Sequence, residues 1–416
     1  MRDFEVAHPA TAPPLCASAP KEHNRRLPLK VLFVTPEAPF PVLGGGAQRI
    51  ASLMEYATRR GAAIDLLSFA PCPPSGETVV RKQWHIALPS NSRSFAARVA
   101  RNAGRFLRGV PPLIDRLAGF DAEITRTLEG QHYDVIFVEH FWLGPYVDVL
   151  RPFSQSVICD LHNVESEFFR SLSRAERWPE RMAHGRFARL SEKLERQFLP
   201  RYSGALVTSH QDAARVAALA PRLPLTIFPN TIPWRAITTE KRERALVFSG
   251  NMEYHPNQQA VAWFTKQVWP TLRLDPALRW RLVGMNPHAI ARTVAGLDRV
   301  EITGPVADAM AEIERAQIAV VPLLSGSGTR VKILEAWAAG TPVVSTRIGA
   351  EGLPGRDGEH FLLADSPADF VAAIRRLLQD ESLATRLSDA GRVLYENTFH
   401  REAAWKCLDA AGILGD

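Results

Sequence analysis

The run LLSGSGTRVKILEAWAAGTPVVST, at 323–346, combines a Gly/Ser loop, two cations and one carboxylate. The loop follows an apolar strand pattern and leads into a predicted helix that ends at Gly340. Glycines let backbone N–H groups approach a ligand, and a helix start adds unpaired donors and partial positive charge. Arg330 can hold two phosphate oxygens at once, and Lys332 adds a mobile point charge. The run therefore favours binding of an anion such as a diphosphate, with Gly328 and Thr329 as backbone donors.

Glu335 lies about five residues beyond the helix start, which is roughly 7–8 Å along the axis at a rise of 1.5 Å per residue. This is about the offset between a diphosphate and its ribose, and a carboxylate can accept both ribose hydroxyls. An ordinary structural role is the alternative. Lys332 and Glu335 could form a surface ion pair, and Ser327 or Thr329 could simply cap the helix.

A second glycine cluster, at 44–46, follows the first predicted strand by about nine residues. A dinucleotide-binding GxGxxG would begin directly at the strand end, so this spacing disfavours an NAD site. We predict instead that Gly45 and Gly46 form a nest of backbone N–H groups near a bound phosphate or a second substrate. The alternative is a mobile turn.

The elements that must position these residues are short β-branched strands alternating with longer helical patterns, which is typical of parallel sheets with crossover helices. Ten strands are predicted: 30–35, 63–69, 133–140, 156–162, 204–209, 245–250, 279–284, 299–304, 318–323 and 342–346. Ligands of such sheets bind beyond the carboxyl ends of the strands. We therefore expect the site in the loops that follow strands.

The 416 residues exceed one compact core of ordinary size, so two domains are expected. The predicted division is as follows: a disordered tail at 1–28, a first domain at 29–232, a linker at 233–244, a second domain at 245–395, and a C-terminal helix at 396–416 that returns to the first domain. The linker is predicted from two prolines and a charged run without periodicity.

Composition is that of a soluble globular protein, with 46% apolar and 23% charged residues. Four widely spaced cysteines form no metal-ligand pattern, which favours a reducing, cytoplasmic location. The segment 81–116 has eight Lys/Arg and one Asp, a net +7 against +6 for the whole chain. Within it, 93–108 has arginines at helical spacing. These arginines could bind anionic lipid at the inner face of a membrane or form a solvated helix face. Nucleic acid is a less favoured partner, because no aromatic residues suited to base stacking alternate with the arginines.

The chain resembles the retaining glycosyltransferases of family 4, which have the GT-B fold. The run GTRVKILEAWAAGTPVVST is similar to that family's donor-site signature, and IGAEGL at 348–353 to the loop that follows. Further resemblances, in the family's order, are VLFVTPEAPFPVLGGGAQR, DLHN at 160–163, IFPNTI at 227–232 and FSGNMEYHPN at 248–257. The resemblance covers roughly 30–400 and implies two facing Rossmann-like, doubly wound parallel-sheet domains with a cleft between them.

The resemblance also implies roles for single residues. His162 would lie near the reacting sugar, with Glu139 and His140 as weaker candidates. Gly250 and Asn251 would form a tight turn against the donor phosphates, and Gly349 and Ala350 would offer backbone donors to the same group. Two features depart from the family. Ser327 stands where a first glutamate is usual, which puts the sugar contacts in doubt, and the basic pair usual after the SG strand is missing. Arg330 and Lys332 would supply that charge.

The implied activity is transfer of a sugar from a UDP- or GDP-linked donor to a glycan or lipid-linked acceptor, with retention of configuration and without a metal or other cofactor. Electrostatic stabilisation of the departing diphosphate by Arg330 and Lys332 would carry catalysis, with His162 at the reacting sugar. Surface polysaccharide or glycoconjugate synthesis is the expected context. The alternatives are a nucleotide-sugar epimerase of the same fold and a non-catalytic nucleotide-sugar-binding protein.

Overall fold

A computed structural model describes 28–42, 44–73, 80–89, 94, 101, 104–105, 108–237, 241–326, 328 and 330–415. The predicted tail lies almost entirely outside these residues, as does most of the basic segment 93–108. Structural statements below concern the described residues.

The first sheet is parallel throughout and has the strand order β3-β2-β1-β4-β5-β6-β7. Its strands are β1 Lys30–Thr35, β2 Ala63–Ser68, β3 Val80–His85, β4 Val135–Glu139, β5 Val157–Leu161, β6 Gly204–Val207 and β7 Leu225–Ile227. The central strands are apolar and buried, as expected where helices cover both faces of a sheet. The chain reverses its direction of strand addition between β1 and β4, which is where doubly wound sheets bind ligands.

The second sheet repeats this topology with the order β10-β9-β8-β11-β12-β13. Its strands are β8 Glu243–Ser249, β9 Arg279–Val283, β10 Val300–Gly304, β11 Ala316–Val321, β12 Val343–Ser345 and β13 Leu362–Leu363. The corresponding reversal falls between β8 and β11. The two halves of the chain thus form equivalent doubly wound units, which confirms the predicted fold class.

Fifteen α-helices, numbered in chain order, connect or flank these strands in the described part of the chain. They are α1 Gly45–Arg59, α2 Pro112–Leu117, α3 Asp121–Thr127, α4 Val147–Leu150, α5 Glu165–Ala175, α6 Glu180–Phe198, α7 His210–Leu219, α8 His255–Trp263, α9 Trp269–Leu272, α10 His288–Val294, α11 Ala309–Arg315, α12 Val331–Ala338, α13 Pro367–Gln379, α14 Glu381–Thr398 and α15 Arg401–Ala410. Side-chain caps begin several of them. Ser209 Oγ accepts from the N–H of Asp212 at 3.1 Å, and Ser366 Oγ from the N–H of Asp369 at 3.1 Å.

The strand predictions were right at all ten places and missed three strands, β3, β7 and β13. All three are edge strands of their sheets. The sequence of β3, VRKQWH, is mostly polar, and its residues are largely exposed. The other two, β7 and β13, are LTI and LL, with three and two residues. A polar strand or so short a run has no clear hydrophobic pattern.

The C-terminal helix α15 packs on the first domain. Ala404, Trp405 and Leu408 belong to the hydrophobic cluster on one face of the first sheet, together with residues of β1 and α1. Trp405 Nε1 donates to Ser52 Oγ at 3.2 Å. The chain therefore crosses between the domains twice, once after β7 and once after α14.

The segment predicted as a linker is held against the second domain by hydrogen bonds from long side chains. The hydroxyl of Tyr395 donates to the carbonyl of Pro233 at 3.0 Å, and Arg392 donates to the carbonyl of Arg235 at 2.8 Å. Arg242 donates to Thr341 Oγ1 at 2.6 Å and to the carbonyl of Gly340 at 2.7 Å. The segment is thus anchored to the second domain on both sides of 238–240, which lie outside the described residues.

A search of the described helices for a stretch long and apolar enough to span a membrane finds none.

Candidate functional site

Loops that follow strands of both sheets meet at one place. A methyl group added to Gly45 would lie 3.1 Å from Val331 Cγ2, so the start of α1 touches the start of α12. A methyl group added to Gly328 would lie 2.7 Å from the carbonyl oxygen of His162. The N–H of Gly326 donates to Ser171 Oγ at 2.9 Å. These contacts place the Gly/Ser loop and the His162 segment together at the carboxyl ends of the strands.

The first-domain side of this junction is a buried ion pair. Arg49, on α1, and Asp160, on β5, are 1% and 0% exposed, and Arg49 Nη2 lies 2.6 Å from Asp160 Oδ1. Arg49 Nε donates to both carboxylate oxygens, and Nη1 donates to the carbonyl of Phe228 and to Asn230 Oδ1. The charge of Arg49 is therefore neutralised within the protein, and the nitrogens of its guanidinium group donate to protein acceptors.

Glu139 and His162 form a second buried contact beside this pair, with His162 Nε2 at 2.9 Å from Glu139 Oε2. Burial, with the neighbouring Asp160, raises the pKa of Glu139 well above its usual value. Burial, with His140 and Arg49 nearby, lowers the pKa of His162 well below its usual value. Both shifts favour neutral groups, so we assign this hydrogen bond to a protonated carboxyl donating to an unprotonated Nε2.

His140 completes this side. Its backbone φ is +63°, a conformation that non-glycine residues rarely adopt. The ring stacks on Trp142 at 4.1 Å between centroids and lies 3.5 Å from the ring of His162. The aromatic contacts fix His140 against His162, so the weaker sequence candidates Glu139 and His140 both touch the stronger one.

Two overlapping sets of these side chains bring possible metal-ligand atoms within 4.8 Å of one another: Glu37, His140 and His162, and Glu139, Asp160 and His162. In the second set the carboxylates already have partners, since Arg49 binds Asp160 and His162 contacts Glu139. The sequence-based expectation that no metal takes part stays a prediction.

The second-domain side has a different electrostatic character. Lys332, in the first turn of α12, is partly buried with its ammonium over the ring of Phe248, 5.0 Å from the centroid. A methyl group added to Gly250 would lie 2.2 Å from Lys332 Nζ. Among the side chains that the structure describes, no carboxylate lies within ion-pair distance of this ammonium. Burial lowers the pKa of Lys332 to about 8, although Glu335 opposes the fall.

Glu335 lies one turn further along the same helix. Its Oε2 accepts from Ser249 Oγ at 3.0 Å, which ties the carboxylate to the end of β8. Burial raises the pKa of Glu335, and both Lys332 and Ser249 act in the opposite direction. A partly buried cation and a carboxylate thus follow one another along α12, in the order that the sequence predicted for a diphosphate and a ribose.

Arg330 precedes the helix and is only 5% exposed. Its Nε donates to the carbonyl of Ile348 at 3.0 Å, and its Nη2 lies 3.3 Å from Glu351 Oε2. Glu351 Oε1 accepts from Arg215 at 2.7 Å, on α7 of the first domain. Arg330 therefore holds the 348–351 loop and takes part in an ion-pair network that crosses between the domains. A phosphate role for it stays a prediction.

The other residues predicted to contact the nucleotide-sugar donor include Asn251, Gly349 and Ala350. Asn251 Oδ1 accepts from the N–H of Glu253 and from Asn286 Nδ2, at 3.0 and 2.9 Å, so it shapes the turn after β8. The N–H groups of Gly349 and Ala350 already donate within their own loop, to Thr346 Oγ1 and to the carbonyl of Thr346. These two residues could donate to a ligand only by exchanging those bonds.

The glycine cluster of the first domain lies where the predicted nest should be, at the start of α1. The first N–H groups of a helix have no intrahelical acceptor, and those of Gly45 and Gly46 occupy that position. A methyl group added to Gly46 would lie 1.9 Å from Glu37 Oε1, so a larger residue there would displace the Glu37 side chain. Of the other predicted residues, Thr329 and Ser327 lie outside the described part of the chain.

Four important residues of the site carried no role in the sequence prediction: Arg49, Asp160, Ser249 and Glu351. Asp160 and Arg49 were part of the motifs DLHN and GGGAQR, but their pairing spans 111 residues and has no local signal. The sequence offered one signal for this pair: Asp160 is an acid at the end of an apolar strand, and a buried acid needs a partner.

Comparison with known proteins adds the following. The family model described as "Glycosyl transferase 4-like domain" matches 44–231, and the model described as "Glycosyl transferases group 1" matches 243–380. Together the two models span nearly all of both domains.

Two relatives illustrate the range of similarity. The lipopolysaccharide core biosynthesis glycosyltransferase LpsE of Rhizobium meliloti is 45% identical over 73 residues, which are 17% of this chain and 22% of that protein. The D-inositol 3-phosphate glycosyltransferase of Geodermatophilus obscurus is 28% identical over 329 residues, 70% of each protein. The first match covers only about a fifth of its relative's length, and the second covers most of both chains.

Among solved structures, sucrose-phosphate synthase from Thermosynechococcus elongatus has a TM-score of 0.70 at 17% identity, covering 93% of this chain and 98% of that one. HepE of Anabaena in complex with UDP-glucose has a TM-score of 0.61 at 13% identity, covering 92% and 100%. At such identities the likeness establishes a shared fold.

Proposed function

This chain is a hexosyltransferase-type glycosyltransferase with the GT-B fold, and we propose that it transfers a sugar from a nucleotide-diphosphate sugar to a glycan or lipid-linked acceptor with retention of configuration. The proposed context is surface polysaccharide or glycoconjugate synthesis at the cytoplasmic face of the membrane. One relative named for lipopolysaccharide core synthesis, matched over 22% of its length, supports this context, and the UDP-glucose bound to HepE supports the donor class.

The single observation that carries the proposal is the ammonium of Lys332. It is partly buried at the start of α12, packs on Phe248 and has no carboxylate partner among the described side chains. Glu335 compensates this charge only in part, because the pKa of Lys332 is still lowered. Withdrawing an incompletely compensated cation from water is unfavourable unless a ligand supplies a further anion. A diphosphate beside Gly250 would supply it.

The roles of the neighbouring groups follow from their positions. As the sugar leaves the donor, negative charge grows on the diphosphate. Lys332 and the N–H groups at the start of α12 stabilise that charge without reorganising. Glu335, already oriented by Ser249, accepts the ribose hydroxyls. Arg330 keeps the 348–351 loop in place.

His162 acts at the other side of the junction. Its ring is fixed by Glu139 and by the stacked His140, so it can orient a hydroxyl of the donor sugar or acceptor without losing side-chain entropy on binding. No covalent nucleophile and no metal ion enter this mechanism. The leaving phosphate itself takes the acceptor proton.

Release of nucleotide from a panel of UDP- and GDP-linked sugars tests the proposal. Wild-type protein should release nucleotide from at least one donor, and Lys332→Met and Glu335→Ala should release it far more slowly. The matched controls Lys266→Met and Glu129→Ala, which change exposed residues that make none of the contacts described above, should behave as wild type. If no donor is turned over and none raises the melting temperature, the proposal fails. A product in which the donor sugar is epimerised but not transferred would instead identify an epimerase.

A further inference from the structure

Glu165 is a buried acid beside the site that has no role in the mechanism above. It is the first residue of α5 and is 4% exposed. One of its carboxyl oxygens accepts two hydrogen bonds: Trp142 Nε1 donates to Oε1 at 2.8 Å, and Asn163 Nδ2 donates to the same atom at 2.5 Å. Trp142 follows β4 and Asn163 follows β5, so this single oxygen ties together the loops after two neighbouring strands.

Trp142 connects Glu165 to the ring of His162. The indole stacks on His140 with 4.1 Å between centroids and 5° between ring planes, and the ring of His140 lies 3.5 Å from that of His162. A non-glycine residue keeps a φ of +63°, as His140 does, only where its surroundings hold it there. The hydrogen bond from Trp142 to Glu165 orients the indole, and the indole is the surface on which the two imidazoles stack.

Asn163 connects Glu165 to the backbone of His162 and to the Gly/Ser loop of the second domain. A methyl group added to Gly328 would lie 3.5 Å from Asn163 Cβ and 2.7 Å from the carbonyl oxygen of His162. The amide that Glu165 binds therefore belongs to a residue against which that loop packs. One carboxyl group thus holds His162 from its ring side and from its backbone side.

The backbone that carries Glu165 is itself fixed by α6. Glu195, on α6, is 1% exposed, and its Oε1 accepts from the N–H of Ser166 at 3.1 Å. That N–H is one of the donors that a helix start leaves without an intrahelical acceptor. The two helices also share a small hydrophobic core. The carboxyl of Glu165 therefore projects from a fixed helix start, which is a suitable support for a group that must orient others.

From these contacts we propose that Glu165 is a positioning residue for sugar transfer, which holds His162 in its working orientation through Trp142 and Asn163. The inference rests on the proposed function, because it requires that His162 acts at the reacting sugar. A group that is oriented before the substrate binds loses no freedom as the transition state forms, and a displacement of about 1 Å can lower the rate about 100-fold.

This role needs an acceptor oxygen at the right place and does not need a negative charge. Burial and the neighbouring Glu195 raise the pKa of Glu165 to about 8, although the hydrogen bonds from Trp142 and Asn163 act in the opposite direction. Near pH 7 the carboxyl is therefore mainly protonated, and its carbonyl oxygen can still accept both bonds. Glutamine would keep this oxygen at the same reach, methionine would remove it, and aspartate would withdraw it by one methylene.

The test measures kcat and KM for nucleotide release from a donor that the wild-type protein turns over. Glu165→Met should lower kcat about 10- to 100-fold and change the KM for the donor less than about threefold, because the second domain binds the donor. UDP should raise the melting temperature of this variant as much as that of wild type. Glu165→Gln should keep kcat within about threefold of wild type. The control Glu180→Met changes an exposed glutamate of α6 and should behave as wild type.

Two further variants test the route of the effect. Glu165→Asp keeps the acid but withdraws the oxygen, so it should also lower kcat, and it serves if the methionine variant does not fold. Trp142→Phe keeps a ring against His140 but has no N–H to donate. The double variant Glu165→Met/Trp142→Phe should lose no more kcat than Glu165→Met alone, because both changes remove the same hydrogen bond. Losses that multiply would show that Glu165 does not act through Trp142.

The results separate failure of this inference from failure of the proposed function. Wild-type protein that releases nucleotide from no donor would overturn the proposed function and this inference with it. An active wild type whose Glu165→Met and Glu165→Asp variants keep kcat would overturn the inference alone, and a lower melting temperature of those variants would then assign Glu165 to stability only. A Glu165→Gln variant that loses as much kcat as Glu165→Met would also overturn it, because the acceptor oxygen would not be what matters.

Discussion

The two sides of the junction differ in whether their buried charges are paired within the protein. On the first-domain side, Arg49 and Asp160 neutralise each other in the interior, and the neutral pair Glu139–His162 lies against them. On the second-domain side, the ammonium of Lys332 has an aromatic ring below it and no carboxylate partner among the described side chains. The buried charges of Arg49 and Asp160 are thus paired without a ligand, whereas the charge of Lys332 is not.

This difference indicates that the charged pair of the first side mainly stabilises the fold, and that the cation of the second side mainly binds the ligand. Removing one member of a complete buried pair leaves the other charge without compensation, so the fold is weakened. Removing the incompletely compensated cation relieves an unfavourable desolvation, so only ligand binding is weakened. Substitutions on the two sides should therefore have effects on different measured quantities.

The largest expected effect is on folding, for Arg49→Met. Asp160 would remain buried without its partner, so the free energy of unfolding should fall by about 3–5 kcal/mol. Urea denaturation measures this directly. The control Arg347→Met changes a largely exposed arginine paired with Asp365 and should cost at most about 1 kcal/mol. Equal effects for the two variants would show that the buried pair is no more important than a surface one.

Next in size is the effect of Lys332→Met on catalysis. Loss of one electrostatic donor to the leaving group should lower the rate of nucleotide release about 100- to 1000-fold. The same variant should be at least as stable to urea as wild type. A loss of stability comparable to that of Arg49→Met would contradict the contrast between the two sides.

The pH dependence of nucleotide binding should be intermediate in size. Burial places the pKa of Lys332 at about 8, below its usual value, so the free site loses its positive charge as pH rises through that range. Affinity for UDP should therefore fall above about pH 8, up to tenfold per pH unit. Stability without ligand should instead rise above about pH 8, because the unfolded chain then binds more protons than the folded one. Lys332→Arg should keep its affinity constant across this range, since guanidinium stays charged.

The smallest expected effect is that of Ser249→Ala. Its hydroxyl holds Glu335 at 3.0 Å, and a hydrogen bond of this kind contributes about 0.5–1.5 kcal/mol. UDP affinity should fall by roughly three- to tenfold, and affinity for the diphosphate portion alone should not change. Thermal titration with UDP and with pyrophosphate distinguishes these cases, and a parallel loss for both ligands would place Ser249 elsewhere in the mechanism.

Much of the fold and part of the site could be predicted from local sequence signals. The buried central strands have long apolar runs. Lys332 and Glu335 belong to one short motif, so their spacing along α12 follows from helix geometry, and Arg330 directly precedes that helix. The strands β3, β7 and β13 have no such run, because β3 is mostly polar and the other two have only three and two residues.

What could not be predicted depends on contacts between distant segments. The Arg49–Asp160 pair spans 111 residues, and the contact of Gly328 with the carbonyl of His162 depends on the arrangement of the two domains. The inward bonding of Gly349 and Ala350 likewise depends on how Thr346 is placed. Sequence patterns report which side chains are suited to a ligand, but not which of them already have partners.

The most direct test of the account compares UDP with uridine as stabilising ligands of wild type and Lys332→Met. The account predicts that UDP raises the melting temperature of wild-type protein far more than uridine does. It also predicts that Lys332→Met melts no lower than wild type without ligand and gains no additional stabilisation from the diphosphate. A Lys332→Met variant that keeps the full UDP shift would show that the anion is bound elsewhere and would contradict the central claim.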